Sequence, residues 1–143
     1  MALNTTPIYS GVGDIQWGTA ALVTANPSFE ASGSGATIFF TASVSGGFVQ
    51  RVRFKPSGST TGTVARIFIA NANTPSTGSN VVLFDEITLG AATVTQTSAQ
   101  PVYEVPMNVA LPPNYKLVAT VGTAQVAGGG WYVSAVGGSY LTL

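Results

Sequence analysis

No window of eleven or more residues in this chain holds an apolar repeat of 3.6 residues free of glycine or β-branched runs, so helices have almost no footing. The apolar residues come instead in short β-branched and aromatic runs, closed off at regular spacing by Gly, Pro, Asn and Ser. Such runs suit pleated, half-buried strands. Eight are predicted, at residues 15–22, 37–44, 48–55, 63–71, 81–89, 102–109, 116–121 and 131–136. Ser45-Gly46-Gly47 is short enough for a hairpin, and 56–62 and 72–80 read as longer polar loops. Pro112-Pro113-Asn114 suits a tight turn, because proline presets φ and asparagine tolerates the left-handed conformation. Without crossover helices, eight antiparallel strands predict an all-β, single-domain antiparallel β-sandwich, jelly-roll-like. A closed eight-stranded barrel and an immunoglobulin-like sandwich are the alternatives, and periodicity leaves the strand order open.

With 143 residues the chain suits one domain with its own core. Residues 1–10 have little core potential and read as an N-terminal arm or a frayed terminus; 11–143 form the sandwich domain. There is no cysteine, so neither a disulfide nor a thiolate metal site is open to the chain. No apolar stretch approaches the ~18–20 residues of a spanning helix, because Gly, Ser, Thr, Asn or Pro interrupts each one. The start, Met1-Ala2-Leu3-Asn4-Thr5-Thr6-Pro7, lacks the basic and apolar regions of a signal peptide, which predicts synthesis without export by that route.

Charge is scarce. Ten residues, 7% of the chain, carry it, with net charge zero; an ordinary domain is about one-quarter charged. A lone surface of that kind invites association. Two readings follow: a homo-oligomer or docked subunit whose faces are covered in use, or a monomer kept soluble by Ser and Thr hydroxyls.

Histidine is also absent, which removes Ser-His-Asp and Cys-His catalysis and the common zinc sites. Gly11-Val12-Gly13-Asp14 and Gly33-Ser34-Gly35 fit no phosphate-binding pattern and precede no helix. Asp85 and Glu86, with Glu104, are the main acidic residues; strand alternation sends Asp85 and Glu86 to opposite faces, so they cannot act as a glycosidase pair. No calcium loop is evident. No catalytic residue, cofactor or metal is therefore expected, and the chain reads as a non-enzyme.

The candidate interface residues lie on strands. In Phe48-Val49-Gln50-Arg51-Val52-Arg53-Phe54-Lys55, alternation puts Arg51, Arg53 and Lys55 on one face and Phe48, Val52 and Phe54 on the other. The row spans ~14 Å at about 3.4 Å per residue. It reads either as an ionic contact to a partner, including a neighbouring subunit's acidic residues, or as a solvated outer face. Zero net charge argues against nucleic acid. Arg66 stands in an apolar strand beside Val64 and Phe68 and needs a sheet edge or a carboxylate, with Asp85 or Glu86 as candidates. Trp17, Tyr103, Trp131, Tyr132 and Tyr140 are either core or a platform for sugar stacking.

Four segments, Val64 to Asn71, Leu83 to Leu89, Leu111 to Leu117 and Trp131 to Tyr140, resemble small structural proteins of tailed-bacteriophage virions. Asn114 stands where that pattern usually has glycine. The resemblance implies a non-enzymatic virion protein of the capsid decoration, or cement, type. Such a protein would be a homotrimer bound to the major capsid protein on the capsid surface, after synthesis in the host cytoplasm, with no membrane or nucleic-acid partner. The alternative it leaves open is a tail or fibre module binding a host surface glycan.

Overall fold

A computed structural model of the chain describes residues 10–71 and 80–141. Residues 1–9 of the expected arm and 72–79 of the expected loop lie outside them, and Ser10 already opens the first strand. The strands are β1 (Ser10–Trp17), β2 (Thr37–Thr41), β3 (Gly47–Pro56), β4 (Thr63–Ala70), β5 (Val81–Leu89), β6 (Tyr103–Leu111), β7 (Lys116–Val121) and β8 (Trp131–Tyr140). They form two four-stranded antiparallel sheets, ordered β1-β8-β3-β6 and β2-β7-β4-β5. Strands pair outermost to innermost, β1 with β8, β2 with β7, β3 with β6 and β4 with β5. That nested pairing, rolled into two layers, is the jelly-roll arrangement.

The Ser45–Gly47 turn departs from the expected hairpin. Gly46 sits at φ 89° and its N–H bonds Ser43 O at 2.9 Å, but β2 and β3 belong to different sheets. The turn carries the chain across the sandwich. The 112–114 turn matches expectation, with Asn114 at φ 63° and Tyr115 N–H bonded to Pro112 O.

The layers meet over a core of Val49, Val52, Phe54, Val105, Met107, Trp131, Val133 and Ala135 from the first sheet, against Phe40, Ala65, Ile67, Leu89, Leu117, Ala119 and Val121 from the second. Phe48 does not join them. The β3 ladder shifts register between Val49 and Arg51 against both neighbours, so Val49 turns inward and Phe48 outward. A bulge reverses side-chain alternation where it falls. A second, smaller cluster lies on the outer face of the β2-β7-β4-β5 sheet, where Ala31 and Ala36 cover Phe68, Ala70, Val81, Leu83 and Val118.

All four sheet edges are blunted against pairing with another strand. On β6, Pro106 lacks an N–H and Asn108 sits in a left-handed conformation at φ 48°. The β5 and β2 ladders each carry an irregularity, at Ile67/Phe68 and Ile38/Phe40. On β1, the Gln16 side chain donates to Thr41 O at 3.0 Å and accepts from Thr41 N–H at 2.9 Å, closing that flank of the sandwich.

Candidate partner interface

β1 begins five residues before the expected Ile15 and stops at Trp17, while β8 runs on past Val136 to Tyr140. Glycines that read as loop meet each other in the ladder: Gly13 pairs with Gly138, and Gly137 with Asp14. This register turns β1 inside out. Asp14 and Gln16 point to the seam, where Asp14 Oδ2 accepts from Ser139 Oγ and Gln16 Nε2, both at 2.8 Å. Ile15 and Trp17 face outward, 62% and 68% exposed. Exposed large apolar side chains on a regular strand are informative because burial was the cheaper arrangement.

They share that outer face with the basic row. Trp17 lies opposite Ser134, Ser134 opposite Arg53, and Arg53 opposite Glu104. One rung along, Ile15, Val136, Arg51 and Pro106 align, and on the other side Tyr132 pairs with Lys55. Arg51, Arg53 and Lys55 thus share one face, as alternation predicts. Glu104 of the same chain stands between the two arginines, its Oε1 at 2.8 Å from Arg53 Nε and 4.0 Å from Arg51 Nε. Arg53, Lys55, Val102, Tyr132 and Ser134 line a shallow cleft of about 130 Å³. The aromatics divide: Trp131 is buried and edge-on to Tyr103, whereas Tyr132 is 56% exposed beside Trp17.

Arg66, Asp85 and Glu86 lie elsewhere. Arg66 Nε donates to Glu86 Oε1 at 2.8 Å, its Nη1 donates to Asn26 O at 3.4 Å, and its guanidinium lies 4.3 Å from the Phe29 ring centroid. Its side chain is only 12% exposed. Of the two expected acids Glu86 is the partner; Asp85 lies opposite Ile67 and accepts from the Glu86 N–H at 2.7 Å. Arg66 therefore acts inside the chain, latching the 26–36 segment over the second sheet. Arg66→Ala is expected to lower unfolding free energy by about 1–2 kcal/mol, from the ring contact and the pair together. Arg66→Lys should not recover it, since a single ammonium cannot reach all three partners. Urea denaturation checks this, and an unchanged midpoint would remove the latch.

A different surface closes one end of the sandwich. Thr60 bridges Ala92, Thr61 N–H bonds Gln125 Oε1, Gln125 N–H bonds Val23 O and Ser57 N–H bonds Gly130 O. These contacts gather the segments 18–25, 57–62, 90–102 and 122–130, and none of the four contains a charged residue. Val23, Val94 and Val126 are exposed there. Nothing in strand periodicity singles out this end; its signal in the sequence is the four uncharged runs themselves.

Among the described residues no group of three or more His, Cys, Asp or Glu side chains is placed to hold a metal. Fold and surfaces define an eight-stranded jelly-roll module with two uncovered faces of unlike character, one apolar and basic, one neutral. No family model matches the chain, and neither a curated protein nor a solved structure does.

Proposed function

We propose that this chain is a non-enzymatic virion structural protein, a bacteriophage capsid decoration protein that binds the outside of the major capsid lattice as a homotrimer. The observation carrying the reading is the neutral end: four converging segments without one charge, bearing exposed Val23, Val94 and Val126. Such an end is matched to a shell that covers it by apolar contact and hydroxyl hydrogen bonds. Jelly rolls occur in viral capsids, though fold alone assigns no function.

Val94→Asp combined with Val126→Asp is expected to weaken rebinding to capsids lacking the protein by roughly 30–100-fold, the loss of about 2–3 kcal/mol of apolar burial. The melting temperature should hold, because both side chains are exposed. Undiminished rebinding would detach this end from the shell and with it the reading.

The glycan-binding alternative has one observation in its favour. Trp17 and Tyr132 are diagonal neighbours on adjacent strands, beside the cleft at Lys55. Retention on immobilised host-surface polysaccharide, abolished by Trp17→Ala, would put that reading first.

A further inference from the structure

The outer face of the β1-β8-β3-β6 sheet holds a cluster that the proposed shell contact does not use. Among the described residues Arg51, Arg53 and Lys55 stand there with a single acid, Glu104. Three positive charges against one negative leave a surplus of two. Glu104 takes up Arg53 and, at longer range, Arg51, whereas Lys55 is exposed and pairs with no acid among the described residues. Neither its ammonium nor the Nη groups of the two arginines make a hydrogen bond within the described chain. The face therefore offers donors and positive charge to an acceptor from outside.

Aromatic rings lie beside Lys55. Tyr132 is its partner on β8, and Trp17 stands opposite Ser134, two residues farther along that strand. Diagonal neighbours of this kind are about 7–8 Å apart, and both rings are more than half exposed. Tyr132 shares the shallow cleft of about 130 Å³ with Arg53, Lys55, Val102 and Ser134. Pockets that enclose a drug-sized molecule run to about 300–1,000 Å³, so this one seats a single small ring and leaves the rest of a ligand on the open face. Trp17 is not part of the cleft's lining. A ligand that covers both aromatics is therefore longer than one ring.

We propose that this strip binds an acidic saccharide chain, one bearing carboxylates on its rings, with Trp17 and Tyr132 under successive sugars and Lys55 beside a carboxylate. A sugar ring offers an apolar C–H face to an aromatic side chain and a rim of hydroxyls to polar neighbours, here Ser134 and the Tyr132 hydroxyl. Lysine brings a point charge on a flexible stem, which follows a carboxylate without demanding one geometry. A nucleic-acid strand suits the face less. It carries a phosphate at every nucleotide and asks for cations along its whole path, but Glu104 stands between Arg51 and Arg53 and interrupts the row. The inference rests on the saccharide reading of this face and adds the ligand's charge and length. It makes no use of the neutral end, so a chain held to a shell through that end can bind the saccharide at the same time.

Binding of the full chain to surface-immobilised polysaccharide, read by interferometry, tests it. At about 0.05 M salt, binding to polygalacturonate or alginate is expected, weakening about tenfold when the polygalacturonate is methyl-esterified or the salt is raised to about 0.5 M. Trp17→Ala should lower the affinity by about tenfold or more, and Trp17→Tyr by much less, because the area of the ring is what stacks. Lys55→Glu should abolish binding to the acidic polymers, while Lys55→Arg keeps it. Both side chains are exposed, so the melting temperature should hold. If Trp17→Ala melts early, Tyr132→Ser takes its place.

No binding to either acidic polymer overturns the proposal, as does equal binding to the methyl ester, which removes charge as the selector. So does binding that survives both Trp17→Ala and Lys55→Glu, because the site then lies elsewhere. Tighter binding to oligo(dT) than to either polymer gives the face to single-stranded nucleic acid and overturns it equally. Val94→Asp with Val126→Asp keeps the inference apart from the shell reading: that variant should lose the capsid and keep the saccharide, and Trp17→Ala should do the reverse. Loss of the saccharide in the valine variant moves the site to the neutral end and overturns the proposal, whereas undiminished capsid rebinding there bears on the shell contact alone.

Discussion

Phe54→Ala is expected to cost about 3–5 kcal/mol of unfolding free energy, the range for removing a fully buried aromatic ring. Phe48→Ala, six residues earlier on the same strand, should cost only about 1–2 kcal/mol. Strict alternation treats the two as equivalent. The shift in register between Val49 and Arg51 separates them: Phe54 is fully buried between the sheets, and Phe48 lies on the outer face. Urea titrations of both variants decide the point. Equal losses would mean that the ladder is regular and that Phe48 shares the core.

Gly137→Ala is expected to destabilise the sandwich by about 3 kcal/mol, at the upper end of overpacking. Gly137 sits in β8 where the irregular part of β3 presses closest. A Cβ there would stand 2.0 Å from the Phe48 carbonyl oxygen and 3.0 Å from Val49 Cα. Both are backbone atoms of a strand held on two sides, so they have no room to retreat. Gly13, one rung along on the edge strand, has nothing within 4 Å of its would-be Cβ. Gly13→Ala should therefore change stability by less than about 0.5 kcal/mol. A thermal melt in which both variants behave alike would show that the close approach at Gly137 is not required.

The scarcity of charge gains a physical sense from where the charges sit. Three of five cations crowd the outer face of the first sheet, the outer face of the second balances Arg66 and Lys116 against Glu86 and the nearby Glu30, and the loop end has none. Contacts through the basic face respond to salt, and contacts through the neutral end do not. Under the proposed function, a salt series would therefore separate binding through the basic face from binding through the neutral end. It also sets the scale of the basic row: solvent-exposed pairs such as Arg53 with Glu104 contribute only about 0–1 kcal/mol each, so a partner bound on this face would draw its affinity from Trp17, Ile15 and Tyr132 more than from the row.

Local chemistry was enough to determine the eight strands, the absence of helix and the 112–114 turn, because β-branched runs, punctuating glycines and a Pro-Pro-Asn turn act over a few residues. It also placed Arg51, Arg53 and Lys55 on one face and gave Arg66 a carboxylate on the neighbouring strand, since both follow from the two-residue period and the cost of a buried charge. Tertiary structure decided the rest. Ser45–Gly47 could close a hairpin or cross between sheets, and only the partners of β2 and β3 selected the crossing. Asp14-Ile15-Gln16-Trp17 alternates equally well with either pair inward; the seam with β2, where Gln16 meets the Thr41 backbone, turned the polar pair in and left Ile15 and Trp17 outside. Gly137 and Gly138 looked like loop until β1 and β3 supplied ladders on both sides. Side-chain period has two phases, and nothing within a strand chooses between them; the choice belongs to the neighbours it packs against.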